Sequence, residues 1–211
     1  MLEFQEYLKI IVSLIVIINP LGNSPIFLSV TEGQKPKQRN KTARMTAVSV
    51  GIILILSLLF GGGILKIFGI DIPSFKVGSG ILILIMSISM LHARVSESKH
   101  TTEEAQEAGE KDNVSVVPLG IPLLAGPGAI STVIVCAHHS ATWGHKLILI
   151  GIVVVIAFII WVVLRLASSI GDAIGTTGIN IGTRLMGLIL AAVAVEFISQ
   201  GLIVLFPVLN G

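Results

Sequence analysis

The sequence is poor in charge and in cysteine. Charged residues occupy 12% of its 211 positions, against about a quarter in an average soluble domain. Hydrophobic residues occupy 53%, and the mean hydropathy is +0.94. This composition indicates a membrane protein with little mass outside the lipid. The net charge of +2 provides no basic surface for nucleic acid, and the single cysteine, Cys136, excludes an intrachain disulfide.

Motifs of catalysis are also missing. The sequence contains no H-E-x-x-H metal motif, no G-x-S-x-G nucleophile motif and no nucleotide-binding motif. A membrane enzyme would need a nucleophile with a base or a set of metal ligands, and an ATP-driven pump would need a nucleotide site. His138, His139 and His145 cluster in a short predicted outer loop, but no carboxylates stand beside them to complete a metal site. We therefore expect a protein that is not an enzyme and has no cofactor and no metal.

Apolar length predicts six transmembrane helices, because about 20 apolar residues are needed to cross a bilayer. The predicted spans are Tyr7–Val30, Thr46–Phe68, Ser74–Leu91, Val114–Ala137, Leu147–Leu166 and Arg184–Phe206. The acidic segment 93–113 cannot enter lipid and is predicted to be a cytoplasmic linker. It separates a first three-span repeat at 1–92 from a second at 114–211. The predicted fold class is an all-α membrane protein.

Two motifs recur in the same order in both halves. P-L-x-x-x-P occurs at 20–25 and again at 122–127, and G-I-D/N-I-x-S/T occurs at 69–74 and again at 178–183. Duplication of an odd number of spans turns the second copy upside down relative to the first. The matches therefore predict two inverted three-helix repeats. Chance matching of apolar segments is the alternative interpretation.

Lysine and arginine are distributed unevenly between the predicted loops. If the loop between spans one and two is cytoplasmic, ten of the 14 positive residues fall inside and four outside. The ten are Lys35, Lys37, Arg39, Lys41, Arg44, Arg94, Lys99, Lys111, Arg165 and Arg184. Cytoplasmic loops carry an excess of positive charge. We therefore expect a multi-pass protein of the inner membrane with both termini on the outer face.

Each P-L-x-x-x-P motif interrupts an apolar segment. Proline removes a backbone hydrogen bond and clashes with the preceding turn, so spans one and four are predicted to be broken helices. The first break should leave one helix ending near Ile18 and another starting with Ser24 as N-cap and Pro25 at the first helical position. In the second break Gly126 is the predicted cap and Pro127 the first helical residue.

The breaks would expose backbone groups of both polarities. Free N–H groups at a helix start attract anions and free C=O groups at a helix end attract cations, and a zwitterion carries both charges. The alternative is that the prolines only kink packed helices whose neighbours satisfy the freed groups. Two matched breaks with glycine and asparagine between the prolines favour a binding site.

Three stretches of the sequence carry a family resemblance. They are N-P-L-G-N-S-P-I-F at 19–27, V-P-L-G-I-P-L-L-A-G-P-G-A-I-S at 117–131 and T-G-I-N-I-x-T-R-L-M-G-L at 177–188. These stretches resemble the MarC family of bacterial and archaeal inner-membrane proteins, which have been grouped as small neutral amino acid transporters. The resemblance implies a transporter fold and translocation of glycine, alanine and similar substrates.

The two breaks are the predicted substrate site. Glycine at 22, 126 and 128 lets the backbone approach a ligand closely. The predicted substrate-binding residues are Asn19, Pro20, Gly22, Asn23, Ser24, Pro25, Pro122, Ala125, Gly126, Pro127, Gly128, Ser131 and Thr132. Ser131 and Thr132 have the competing interpretation that their hydroxyls bond their own helix backbone, as is common in membrane helices.

Glu196 is the only carboxylate well inside a predicted span. A charge at that depth is costly and usually functional. Glu196 is therefore a candidate for coupling or for binding the substrate amine. A neutral glutamic acid hydrogen-bonded between helices is the alternative, and the sequence leaves both interpretations open.

Together these features predict a secondary transporter that moves small neutral amino acids by alternating access at a midplane site between two broken helices. Its predicted partners are a small zwitterionic amino acid, membrane lipids and a coupling proton or sodium ion, with no nucleic acid. A channel or efflux protein for another small polar solute is the alternative function.

Overall fold

The computed structural model describes residues 3–92, 124–139 and 142–210, and the regular structure in these ranges is helical throughout. The α-helices are α1 (Phe4–Ile18), α2 (Ser24–Val30), α3 (Pro36–Ile67), α4 (Ile72–Leu91), α5 (Pro127–His138), α6 (Trp143–Arg165) and α7 (Ala167–Leu205). A 3-10 turn at Pro207–Asn210 follows α7. The predicted all-α membrane class is therefore confirmed.

The prediction of six membrane-spanning helices is wrong. In the described ranges four helices are long and apolar enough to cross a membrane: Pro36–Ile67, Ile72–Leu91, Trp143–Arg165 and Thr177–Leu205. The segment predicted as span one is divided between α1, with 15 residues, and α2, with 7. Each piece is shorter than the roughly 20 residues that a span requires. Apolar length alone had joined two helices that the proline break separates.

The segment predicted as span four contributes α5, which has only 12 residues. Its predicted first part, 114–123, and the linker 93–113 lie outside the described residues. With two of six spans unmatched, the prediction of two inverted repeats of three spanning helices is wrong as well. The boundary at 92 coincides with the end of a described range and the one at 114 lies outside the described residues, so the division of the chain stays a prediction.

Helices α4 and α7 pack against each other along much of their length, in antiparallel directions. A Cβ on Gly80 would lie 2.9 Å from the Ala194 carbonyl oxygen, and one on Gly201 would lie 2.8 Å from the Pro73 carbonyl oxygen. Gly187 makes a similar approach to the other end of α4. Small residues let the backbones of two membrane helices come together, and this contact drives association where lipid removes the hydrophobic effect.

Helix α3 packs in the same way against α5 and α6. Gly61 faces Ile134 on α5, while a Cβ on Gly51 would lie 3.3 Å from the Ala157 side chain on α6. Gly63 has nothing within 4 Å of its Cβ position. The core of the molecule lies between this group and α1, because Leu14, Leu54 and Ile156 are all almost fully buried there.

Arg39 joins three helices at one end of the bundle. Its Nη1 donates to the Ser168 hydroxyl oxygen at the start of α7, at 2.8 Å, and its Nη2 lies 3.5 Å from the Thr31 carbonyl oxygen after α2. The start of α3, the end of α2 and the start of α7 therefore lie on the same side. This contact holds the short helix α2 near the kink in α7, where Gly175 has φ 68° and ψ 172°.

His145 is a core residue and does not belong to the predicted outer loop. It is fully buried in α6, with its Nδ1 2.9 Å from the Tyr7 hydroxyl on α1 and its Nε2 2.9 Å from the Cys136 carbonyl on α5. A carbonyl can only accept, so Nε2 carries the proton and Nδ1 accepts from Tyr7. Both ring nitrogens are thus occupied in holding three helices together.

Candidate functional site

The first break is a tight turn that local chemistry dictates. Helix α1 ends at Ile18, and Asn19 adopts the left-handed conformation, with φ 44° and ψ 61°. Asparagine is one of the few residues other than glycine that visits this region readily. Pro20 has no N–H to donate to the Val16 carbonyl, so the helix cannot continue past this point.

Side chains of the turn satisfy much of its backbone. The Asn23 Nδ2 donates to the carbonyls of Ile18, at 2.8 Å, and Asn19, at 3.1 Å. The Ser24 hydroxyl donates to the Leu21 carbonyl at 2.6 Å, and the Gly22 N–H donates to Asn19 Oδ1 at 3.1 Å. The turn is therefore a defined structure, and two carbonyls at the end of α1 already have a partner.

The cap of α2 lies one residue earlier than predicted. Asn23 is the N-cap, so Ser24 occupies the first helical position and Pro25 the second. The Phe27 N–H donates to the Asn23 carbonyl at 3.1 Å, which closes the first helical turn on Asn23. Asparagine and serine are about equally good caps. The sequence alone could not choose between them.

At the second break, α5 starts where the sequence predicts. Gly126 is the N-cap, with φ −64° and ψ 170°, and Pro127 is the first helical residue. The N–H groups of Ala129 and Ile130 donate to the Gly126 carbonyl at 3.0 and 3.1 Å. Pro127 is exposed, whereas Ala125, Gly126 and Gly128 are buried. Pro122 lies outside the described residues.

The structure brings the start of α5 against the end of α1. A Cβ on Gly128 would lie 3.2 Å from Ile17 Cγ2, 3.3 Å from Ile83 Cγ1 and 3.5 Å from Met86 Sδ. The first two distances are tighter than an ordinary van der Waals contact, so only glycine fits without displacing a neighbour. The end of α1 and the start of α5 are therefore in close contact, and the side chains at this contact are apolar.

The hydroxyls of Ser131 and Thr132 bond the backbone of their own helix, which was the alternative to a substrate-binding role. Both are buried, and their hydroxyls donate to the Gly128 carbonyl at 3.0 and 2.7 Å. These bonds lie within α5 itself, as is usual for hydroxyl side chains in membrane helices. The two residues therefore support the start of α5 and do not extend towards the first break.

Thr183 also reaches the first break, although it is absent from the predicted site. A Cβ on Gly22 would collide with the Asn19 amide and would lie 3.0 Å from the Thr183 hydroxyl oxygen. Thr183 belongs to the repeated G-I-N-I-G-T motif in α7. That repetition was the available signal, but spacing along the chain does not predict which helix faces Gly22.

Comparison with known proteins identifies the family. The model of the MarC family of integral membrane proteins matches residues 4–206. The chain belongs to the MarC family. The predicted resemblance is thus confirmed, and both breaks and Thr183 fall within the matched region. No solved structure matches this MarC-family chain.

Relatives in bacteria and archaea align over almost the whole MarC-family chain. The UPF0056 membrane protein YhcE of Escherichia coli is 40% identical over 210 residues, covering 97% of this chain and 95% of the relative. YvbG of Bacillus subtilis, which is also a UPF0056 membrane protein, is 41% identical over 98% of this chain and 99% of the relative. The UPF0056 membrane protein MJ1677 of Methanocaldococcus jannaschii is 37% identical over 95% of this chain and 98% of the relative.

Glu196 lies away from the breaks, on an exposed face of α7. The Gln200 Nε2 donates to a Glu196 carboxylate oxygen, and the Lys76 Nζ on α4 donates to Gln200 Oε1. The Lys76 Nζ also lies 5.7 Å from the centre of the Phe197 ring. Thr183 precedes Glu196 by about 20 Å along the helix, at ~1.5 Å per residue. The carboxylate therefore belongs to a separate polar group made of an acid, an amide and a lysine.

Proposed function

We propose that this MarC-family protein is a secondary transporter of small neutral amino acids. In this proposal the substrate binds between segments 19–25 and 124–128 and crosses by alternating access. The observation that carries the proposal is the irregular turn at 19–23, in which Asn19 and Pro20 are buried, next to the contact of Ile17 with Gly128 at the start of α5. Irregular backbone at membrane depth is tolerated only where it is buried in protein or lines a water-filled cavity.

The chemistry of this region suits a zwitterion with a small side chain. The start of α5 carries positive partial charge, and the end of α1 carries negative partial charge. Gly22 and Gly128 are closely surrounded and leave little volume, and the neighbours of Gly128 are the apolar side chains of Ile17, Ile83 and Met86. Selectivity would then come from steric exclusion, which favours glycine and alanine over lysine, glutamate and tryptophan.

Uptake by the purified protein in proteoliposomes tests the proposal. We expect saturable uptake of labelled alanine that unlabelled glycine and alanine inhibit and that lysine, glutamate and tryptophan do not. Preloading the vesicles with unlabelled alanine should accelerate uptake, because a carrier exchanges substrate across the membrane. Uptake that does not saturate and shows no such acceleration would favour a channel, and no uptake of any small amino acid would refute the proposal.

We further propose that Glu196 couples transport to a proton, with Gln200 and Lys76 as its hydrogen-bonded partners. Glu196→Gln keeps the shape of the side chain but cannot take up a proton. We expect it to abolish the pH dependence of alanine uptake while alanine binding remains measurable. Glu32→Gln removes an exposed carboxylate elsewhere and serves as the control. Uptake that keeps its pH dependence in Glu196→Gln would assign the carboxylate to structure.

We propose an inner-membrane location with the start of α3 in the cytoplasm and both termini outside. This orientation places the positive residues of α3 on the inner side, as charge statistics favour. A cysteine at Gln38 should then react with an impermeant reagent only after permeabilisation, and one at Asn210 should react in intact cells. The reverse pattern of labelling would invert the proposed orientation.

A further inference from the structure

Two side-chain donors from different helices converge on one point at the first break. The bond from the Gly22 N–H occupies Asn19 Oδ1, and this fixes which side of the amide carries the nitrogen. The Asn19 amide lies directly over the Gly22 α-carbon, where a Cβ would collide with it, and the hydroxyl oxygen of Thr183 lies 3.0 Å from that Cβ position. In the described ranges neither donor makes a hydrogen bond.

The donors of the neighbouring polar side chains, in contrast, all make hydrogen bonds. Asn23 bonds two carbonyls of the turn, Ser24 bonds a third, and the hydroxyls of Ser131 and Thr132 bond within α5. Asn19 is only 8% exposed. Its Nδ2 nevertheless keeps accessible surface, so this unbonded donor can meet a polar group that reaches the break. The Asn19 amide is therefore a side-chain donor at this break that is available to a ligand.

We propose that Asn19 Nδ2 and Thr183 Oγ1 together hold the carboxylate of the transported amino acid, at the edge of the turn beside Gly22. This assignment rests on the proposed transport function and makes α7 the third wall of the site. Amide and hydroxyl protons suit an acceptor such as a carboxylate. An ammonium group would instead need acceptors, and Asn19 Oδ1 is already occupied by the Gly22 N–H.

The proposed carboxylate site lies at the end of α1, and the partial charge of this helix end is compatible with an anion. Helix ends repel anions through their free carbonyls. Here Asn23 Nδ2 donates to the carbonyls of Ile18 and Asn19, which reduces the negative partial charge that a carboxylate would meet. Gly22 is required because any Cβ at this position would collide with the Asn19 amide and displace its donor.

The experiment compares alanine with alaninamide, which has the same side chain and amine but no carboxylate. In wild-type proteoliposomes we expect alaninamide to compete with labelled alanine at least tenfold less well than unlabelled alanine does. Thr183→Val removes the hydroxyl and keeps the shape, so half-saturation by alanine should rise about tenfold, the low end for a hydrogen bond to a charged group. The preference for alanine over alaninamide should shrink by a similar factor, and Thr183→Ser should restore it.

Asn19→Asp provides a second, independent variant. Aspartate tolerates the left-handed conformation and still accepts from the Gly22 N–H, but it replaces the free donor with an anion. We expect alanine uptake to fall to background while binding of the cationic alaninamide persists or strengthens. Thr46→Val is the control, since the Thr46 hydroxyl is buried in α3 without a partner in the described ranges. It should leave both ligands unaffected.

The outcomes separate this inference from the proposed function. Retained discrimination between alanine and alaninamide in Thr183→Val and Asn19→Asp, with normal wild-type uptake, would overturn the carboxylate assignment and leave transport standing. A wild-type protein that takes up no small amino acid would overturn both. Loss of discrimination in the two variants, with Thr46→Val unchanged, would support the assignment.

Discussion

Gly22→Ala is expected to reduce alanine uptake to background while the protein still inserts into the membrane. The added methyl would collide with the Asn19 amide and lie 3.0 Å from the Thr183 hydroxyl oxygen. Asn19 would have to move, and its bond with the Gly22 N–H would be lost. The displaced amide would no longer present its Nδ2 beside Thr183 to the carboxylate of the substrate. Uptake and membrane content should be measured on the same vesicles.

Gly63→Ala is the matched control for this substitution. Gly63 also lies in an apolar segment, but nothing lies within 4 Å of its Cβ position, and alanine is a better helix former than glycine. We expect uptake by Gly63→Ala to equal that of wild type. If Gly22→Ala transports as well as Gly63→Ala does, the turn at 19–23 is not the binding site.

Gly80→Ala is expected to destabilise the protein by about 1–3 kcal/mol, the usual range for inserting a methyl group into a closely packed contact. Its Cβ would lie 2.9 Å from the Ala194 carbonyl oxygen and 3.0 Å from the Ile198 backbone nitrogen. Both atoms belong to the backbone of α7, so neither can move aside without shifting that helix. Thermal unfolding in detergent should show the loss as a lowered midpoint.

Gly78→Ala tests the same helix two residues earlier. Nothing lies within 4 Å of its Cβ position. Alanine is favoured over glycine in a helix by about 1 kcal/mol, so this variant should unfold at or above the wild-type midpoint. Equal midpoints for Gly80→Ala and Gly78→Ala would show that α4 and α7 do not meet through Gly80.

The exposed N-cap of α4 is an example of what local sequence predicts well. The Asp71 carboxylate accepts from the Ser74 N–H at 2.9 Å, and hydrogen bonding to Ser74 lowers the pKa of Asp71. Aspartate three residues before a serine and next to I-P is a recognisable helix start. Such features depend on a few neighbouring residues and need no knowledge of the remaining chain.

The number of spanning helices shows why apolar length is insufficient. The stretch from Tyr7 to Val30 is apolar enough to cross a bilayer, yet Asn19 and Pro20 separate α1, which has 15 residues, from α2, which has 7. Proline chemistry predicts the break within this stretch, but the count of apolar residues joins the two pieces into one span. A hydropathy window averages over a turn, whereas the membrane-crossing ability of a helix depends on its uninterrupted length.

Composition, motifs and proline chemistry are local properties, and they were enough to predict the membrane class, the family, the end of α1 at Ile18 and the start of α5 at Pro127. They could not predict that Thr183 faces Gly22, that Lys76 reaches Glu196 through Gln200, or that His145 lies in the core. Each of these contacts joins residues far apart in the chain. Their formation depends on how α4 and α7 approach through glycine and on the direction in which α1 ends, and apolar periodicity specifies neither.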